Sequence, residues 1–190
     1  IKDYLYKNQN FDFYKVKINH ANGIELISEI SKYVNVPLRI DANEAFKSLD
    51  DYLNFEKELN AFNIQFIEQP FPASMMEVYK KLKPISIYEI IGDESIIDQF
   101  DEENFPKMFH GINVKLMKAG GLLKAKEILL KAKEHQLKTM IGCMIETSLG
   151  ISEALSLASL CDYFDLDGAL LISNDPYVNL LNIKNGKISS

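Results

Sequence analysis

The sequence predicts an α/β fold in which parallel strands are joined by crossover helices. Three observations carry this. Short β-favouring runs alternate with longer amphipathic ones along the whole chain, the strand candidates recur about every 25 residues, and almost every one ends in an ionisable residue. Strand-then-helix repetition implies parallel pairing. A β/α barrel and an open doubly wound sheet both fit that spacing.

The first strand candidate, 14–18, carries Lys15 and Lys17 one residue apart, so both ammonium groups share a face. A helix is expected over 22–34. The second strand, 37–41, ends in Asp41, with Arg39 two residues earlier on the same face and Asn43 just beyond. A helix over 47–61 leads to the third strand, 64–68, which ends in Glu68 and is stopped by Pro70. After a helix over 74–82, the fourth strand, 87–92, runs into Asp93 and Glu94, and a weak helix is expected near 96–104. The fifth strand, 112–116, carries Lys115. The stretch "GLLKAKEILLKAKEH", 121–135, has Leu and Ile at helical spacing with lysines on the other face. The sixth strand, 138–142, leads to Cys143 and Glu146, followed by a helix over 148–160. The seventh, 163–167, holds Asp165 and Asp167.

Composition narrows the function. With 190 residues, 47% of them apolar, the chain can bury a core as one domain. A net charge of −6 without a lysine-rich stripe argues against a nucleic-acid partner. No apolar run reaches the roughly 18–20 residues of a membrane span, and no signal-peptide pattern opens the chain. Cys143 and Cys161 lack metal-ligand spacing, which suits a reducing cytoplasm. Phosphate-loop and dinucleotide fingerprints are absent, and Gly120-Gly121 reads as a plain turn. Seven strands are one short of a closed eight-stranded barrel, so the chain reads as part of a longer protein.

In β/α barrels the catalytic groups sit at the C-terminal strand ends. Asp41, Glu68 and Asp93 are 27 and 25 residues apart, one strand–helix unit each. Three converging carboxylates need a cation, and an all-oxygen set favours a hard ion such as Mg²⁺. Lys15 and Lys17 would face that ion and an anionic substrate. Arg39, one layer deeper, needs partners of its own and is expected to brace the metal carboxylates. Taken singly, each feature has a plainer reading: "KVK" as a solvated edge, "DAN" and "GDES" as helix caps, Glu146 as a first-turn helix acid, Cys143 as a small core residue. Their order at successive strand ends is what points to a site.

"KVK" at 15–17, "DAN" at 41–43, "IEQP" at 67–70, "GDES" at 92–95 and "NVKLMKAGG" at 113–121 together resemble the enolase superfamily, in its muconate-lactonizing subgroup. The resemblance implies a TIM-like (β/α)7β barrel that here lacks its first strand and its N-terminal α+β capping domain. It makes residues 1–190 the enolase-like barrel domain and places the cap in the full-length chain. It implies Asp41, Glu68 and Asp93 as Mg²⁺ ligands and Lys17 and Lys115 as acid/base lysines on opposite faces of the substrate. Lys15 would contact the substrate carboxylate, while Arg39, Asn43, Glu94 and Glu146 would support the site without touching the ion. Asp165-Leu166-Asp167 resembles the pair that binds the substrate ammonium in dipeptide epimerases. The activity implied is proton transfer at the α-carbon of the C-terminal residue of an L,L-dipeptide, through an enediolate. The alternatives are another enzyme of the subgroup (a cycloisomerase, an o-succinylbenzoate synthase, or an N-acyl- or N-succinylamino acid racemase) or a non-catalytic barrel fragment. The partner expected is a small dipeptide, with no nucleic acid or membrane, and homo-oligomerisation is left open.

Overall fold

Buried apolar runs on the strands and apolar stripes on the helices place nearly every element where the spacing predicts it. The structure, a computed structural model, describes residues 2–7, 11–184 and 186–189. The chain forms two compact units, one of residues 1–95 and 107–109, the other of residues 96–106 and 110–190.

The first unit begins with helix α1 (Lys2–Lys7) and carries four strands: β1 (Tyr14–Lys17), β2 (Leu38–Asp41), β3 (Ile64–Glu68) and β4 (Glu89–Gly92). They pair in sequence order, all parallel. Helices α2 (Gly23–Ser31), α3 (Leu49–Leu59) and α4 (Met76–Leu82) connect them. Register decides which side chains share a face. Lys15, Arg39, Phe66 and Glu89 are successive partners in one row, and Lys17, Asp41, Glu68 and Ile91 form the next row toward the C-terminal strand ends. Val16, Ile40, Ile67 and Ile90 fall on the other face and are buried, as are Ile27 of α2, Tyr52 and Leu59 of α3, and Tyr79 and Leu82 of α4. The polar face of this sheet is therefore the face of the candidate site.

An aromatic chain ties the connecting segments together. Phe46, Tyr52, Phe71, Tyr79 and Phe109 meet in turn, edge to face or tilted, at centroid separations of 5.4, 5.5, 5.5 and 4.8 Å. Each such pair contributes about 0.5–1.5 kcal/mol beyond its buried area. Phe109 also explains Gly92, because a Cβ there would lie 2.9 Å from the Phe109 ring.

The second unit holds β5 (Gly111–Lys115), β6 (Lys138–Gly142) and β7 (Tyr163–Asp165), parallel and in order. Asn113, Met140 and Tyr163 share one row; Lys115, Gly142 and Asp165 share the next. Helix α7 (Leu122–Glu134) buries Ala125, Ile128, Leu129 and Ala132, the stripe read in the sequence. Helix α8 (Ser148–Leu155) follows β6, and Asp175 caps it from 27 residues downstream by accepting the Ser148 N–H at 2.7 Å. Strands β8 (Asn182–Lys184) and β9 (Lys187–Ser189) form an antiparallel pair. Among the described residues no helix is long and apolar enough to cross a membrane.

The structure corrects four expectations. Residues 96–104 are turns and bends, and a single helical turn, α5 (Phe105–Met108), comes after them. The reason is Asp101, whose carboxylate accepts the Glu103 and Asn104 N–H groups and so closes a local turn in place of a helix. A short helix, α6 (Leu116–Ala119), stands between Lys115 and the glycine pair; Gly120 and Gly121, at φ 87° and 116°, turn the chain from α6 into α7. The helix expected over 148–160 stops at Leu155, where the Ser156 hydroxyl turns back to the Glu153 carbonyl, and resumes only as a 3-10 turn, Ala158–Leu160. The seventh strand ends at Asp165, so Asp167 stands at the entry of a 3-10 turn, Gly168–Leu171, and not in the strand.

Candidate active site

In the first unit the two lysines of "KVK" meet the carboxylates of the neighbouring strands. Lys15 Nζ lies 3.0 Å from Asp41 Oδ2 and 2.9 Å from Glu68 Oε2, bridging the ends of β2 and β3. Lys17 Nζ lies 3.7 Å from the same Asp41 oxygen. The lysines differ in setting: the Lys15 side chain is 14% exposed and that of Lys17 71%. Lys15 is thus a half-buried counter-charge, while Lys17 is largely exposed to solvent beside Asp41.

Asp41, Glu68 and Asp93 are all buried, at 1%, 0% and 2% exposure. Buried carboxylates are stable only beside positive charge or several donors. Asp93 follows β4 directly, and its N–H donates to Gln69 Oε1 at 2.8 Å. Asn43 links the loops beyond these strands: its N–H donates to Asp41 Oδ1 at 3.2 Å and its side-chain amide to Glu94 Oε1 at 3.1 Å. The Glu94 carboxyl is pushed up by burial and by the adjacent Asp93 charge, with Asp41 adding to the effect and the Asn43 bond opposing it. Its Oε2 is buried without a hydrogen-bond partner among the described residues. Arg39 lies in the row beneath. Its guanidinium stands 3.4 Å from the centre of the Phe13 ring, and its Nε donates to Gln65 Oε1 at 2.7 Å. Gln65 reaches it because the β2–β3 register skips one residue there.

The donor chemistry fits a hard divalent cation: three buried carboxylates at the ends of adjacent strands, two of them already drawn onto one ammonium. As the side chains are posed around Lys15, no three His, Cys, Asp or Glu groups among the described residues stand as a ready ligand set.

The second unit carries the other expected residues. Lys115 ends β5 in register with Gly142, which is in turn in register with Asp165. Gly142 is required there, since a Cβ would fall 2.5 Å from Asn113 Oδ1. The Cys143 thiol donates to the Asp165 carbonyl at 3.2 Å and accepts the Gly168 N–H at 3.3 Å, which holds the turn containing Asp165 and Asp167. Burial pushes this thiol up to about 12, as expected of a core residue and not of a nucleophile. Gly168 allows this packing, because a Cβ there would lie 2.1 Å from the Met144 carbonyl oxygen. Glu146 folds back on its own loop, accepting the Met144 N–H at 3.1 Å, and burial pushes its carboxyl up.

Sequence reasoning passed over Gln69, which it read only as part of a run ended by Pro70. Its signal was the residue type: a buried amide after a strand-end carboxylate must satisfy both donors and acceptors.

The chain is similar to known proteins over nearly its whole length. The family model of the enolase C-terminal domain-like proteins matches residues 2–189. The chain is 39% identical to the L-Ala-D/L-amino acid epimerase of Flavobacterium johnsoniae, over 93% of this chain and 52% of that protein. It is 47% identical to the Pedosphaera parvula protein of the same name, over 75% of this chain and 42% of that one. Among solved structures, the Methylococcus capsulatus dipeptide epimerase complexed with Mg and L-Arg-D-Lys superposes with a TM-score of 0.87 at 26% identity, covering 98% of this chain and 55% of that one. The liganded L-Ala-D/L-Glu epimerase of Bacillus subtilis superposes with a TM-score of 0.85 at 29% identity, covering 99% and 55%. The chain spans about half the length of the curated relatives it matches. These likenesses decide for the β/α-barrel class over the open sheet.

Proposed function

Because this chain belongs to the enolase C-terminal domain-like family, we propose that it is the barrel domain of a Mg²⁺-dependent dipeptide epimerase. The observation that carries the reading is the buried Asp41 and Glu68 carboxylates drawn onto Lys15, with Lys17 beside them, in a chain so similar to named L-Ala-D/L-amino acid epimerases. A capping domain in the intact protein, and a cytoplasmic setting consistent with the two unpaired thiols, belong to the same reading.

Asp41, Glu68 and Asp93 would hold Mg²⁺, which when bound supplies Lewis-acid stabilisation of charge on a substrate carboxylate. A lysine base working with Mg²⁺ is a known arrangement in enolase-superfamily sites. Lys15 supplies fixed positive charge next to the carboxylate being activated. Lys17 and Lys115 are the proton carriers. One takes the α-proton of the C-terminal residue, leaving an enediolate; the other returns a proton to the opposite side of the same carbon. Two lysines are needed because one that both removed and returned the proton on a single side would restore the starting configuration. Asp165 and Asp167 favour an α-ammonium over a second anion, which selects a dipeptide over a dicarboxylate. Asn43, Glu94, Arg39 and Glu146 support the loops and strands around these groups.

The test is ¹H NMR of L-Ala-L-Glu with the full-length protein and Mg²⁺ in D₂O. Loss of the Glu α-proton signal, with growth of the diastereomer, supports the reading. Absence of α-proton exchange across a dipeptide panel, by a folded protein that binds Mg²⁺, overturns it.

A further inference from the structure

Gln69 sits between the strand ends that carry the candidate ligands. It is wholly buried, and its backbone is in the left-handed region at φ 38°, unusual for a residue with a side chain. Its N–H donates to the Ile91 carbonyl of β4 at 2.9 Å, and its carbonyl accepts the Glu44 N–H from the loop after β2 at 2.8 Å. The side-chain oxygen accepts the N–H groups of Asp93, at 2.8 Å, and Ser95, at 3.3 Å. The side-chain nitrogen lies 2.8 Å from the Ser95 hydroxyl, 2.8 Å from the Tyr79 hydroxyl and 3.0 Å from the Phe71 carbonyl. Tyr79 completes the network by donating to that carbonyl and accepting the Phe71 N–H.

We propose that Gln69 is a positioning residue for metal binding: it grips the Asp93–Ser95 backbone and so fixes where the Asp93 carboxylate leaves β4. This inference rests on the reading in which Asp41, Glu68 and Asp93 hold Mg²⁺. Only an uncharged amide meets the demands of the position. It offers an acceptor to two backbone N–H groups and two N–H donors to the oxygens that surround its nitrogen. Glutamate would set an acceptor against the Phe71 carbonyl and add another negative charge to a buried carboxylate cluster. Leucine would take the side-chain acceptor away from the Asp93 and Ser95 N–H groups. Asparagine is one methylene too short to span the same partners. The left-handed backbone is tolerated because these bonds hold it on both sides.

The experiment compares full-length wild type with Gln69→Leu, Ser95→Ala and Asp93→Asn. Mn²⁺ is the probe, with the free ion counted by electron paramagnetic resonance, and amide exchange is followed across residues 91–96. The expected result for Gln69→Leu is a loss of Mn²⁺ affinity of at least about ten-fold, with faster exchange at Asp93 and Ser95. The Mg²⁺ concentration giving half-maximal turnover should rise by the same factor. Ser95→Ala, a milder change, should show about a two- to five-fold loss. Should Gln69→Leu not fold, Ser95→Ala decides. Unchanged Mn²⁺ affinity in a folded variant whose Asp93 amide has lost protection, or whose melting temperature alone has fallen, overturns the inference. Asp93→Asn separates the two levels: if it too leaves Mn²⁺ binding intact, the ligand assignment itself has failed.

Discussion

Replacing Lys15 with methionine removes a cation that bridges two buried carboxylates while keeping most of its apolar stem. Its ammonium makes contacts of 3.0 and 2.9 Å with Asp41 and Glu68, which are 1% and 0% exposed. Deleting one partner of a buried ion pair costs about 3–5 kcal/mol, because the other charge is left without compensation. Lys15 is itself 14% exposed, so water reaches part of the site and the lower end, about 3 kcal/mol, applies. At about 2–4 °C per kcal/mol for a domain of this size, the melting temperature without divalent metal falls by roughly 6–12 °C. Mg²⁺ should restore much of this, since an ion bound at 100 times its dissociation constant stabilises by about 2.7 kcal/mol. The assay is thermal and urea unfolding of wild type and Lys15→Met, each with excess Mg²⁺ and with a chelator. The Lys15→Met loss should shrink when Mg²⁺ is present. A loss that is the same in both conditions, or no loss with chelator, would refute the idea that lysine and metal neutralise the same carboxylates.

Other expectations follow from the same geometry. Gly142→Ala forces the buried Asn113 amide aside and should cost about 1–3 kcal/mol in urea unfolding, in line with overpacking elsewhere. Cys143 and Cys161, both pushed up to about 12 by burial, should react with an aromatic disulfide reagent at pH 8 far more slowly in the native protein than after unfolding. Because the folded protein holds these thiol protons more tightly than the unfolded chain, stability should fall as pH rises from about 9 through about 12, which pH-dependent urea unfolding would register. Asp175→Ala should speed amide exchange in the first turn of α8. The hydrogen bond with Ser148 holds the Asp175 carboxyl below its usual range, so its contribution is in place above the ordinary carboxylate pKa and vanishes as pH falls through the lowered value.

The strand ends were legible because a parallel strand leaves a two-part signature: a β-branched run, then a polar residue at its exit. That is how Asp41, Glu68, Asp93 and Lys115 could be named before any coordinates, and why the Lys15–Lys17 face read as shared. Order along the chain did the rest, since five modest motifs in one sequence are far more specific than any of them alone. What local patterning could not reach was decided by contacts between segments far apart in sequence. The role of Gln69 depends on partners up to 26 residues away, and that of Asp175 on a helix start 27 residues before it. The partner of Arg39 depends on a register skip that no periodicity shows. At 96–104 and 163–167 local preference misplaced the element, because an Asp101 side-chain turn and the packing of Gly168 against Met144 set the boundary instead. Periodicity reports which face of an element is apolar. Which buried polar group finds which partner is a property of the packed chain, as when Lys15 draws the Asp41 and Glu68 carboxylates onto one ammonium.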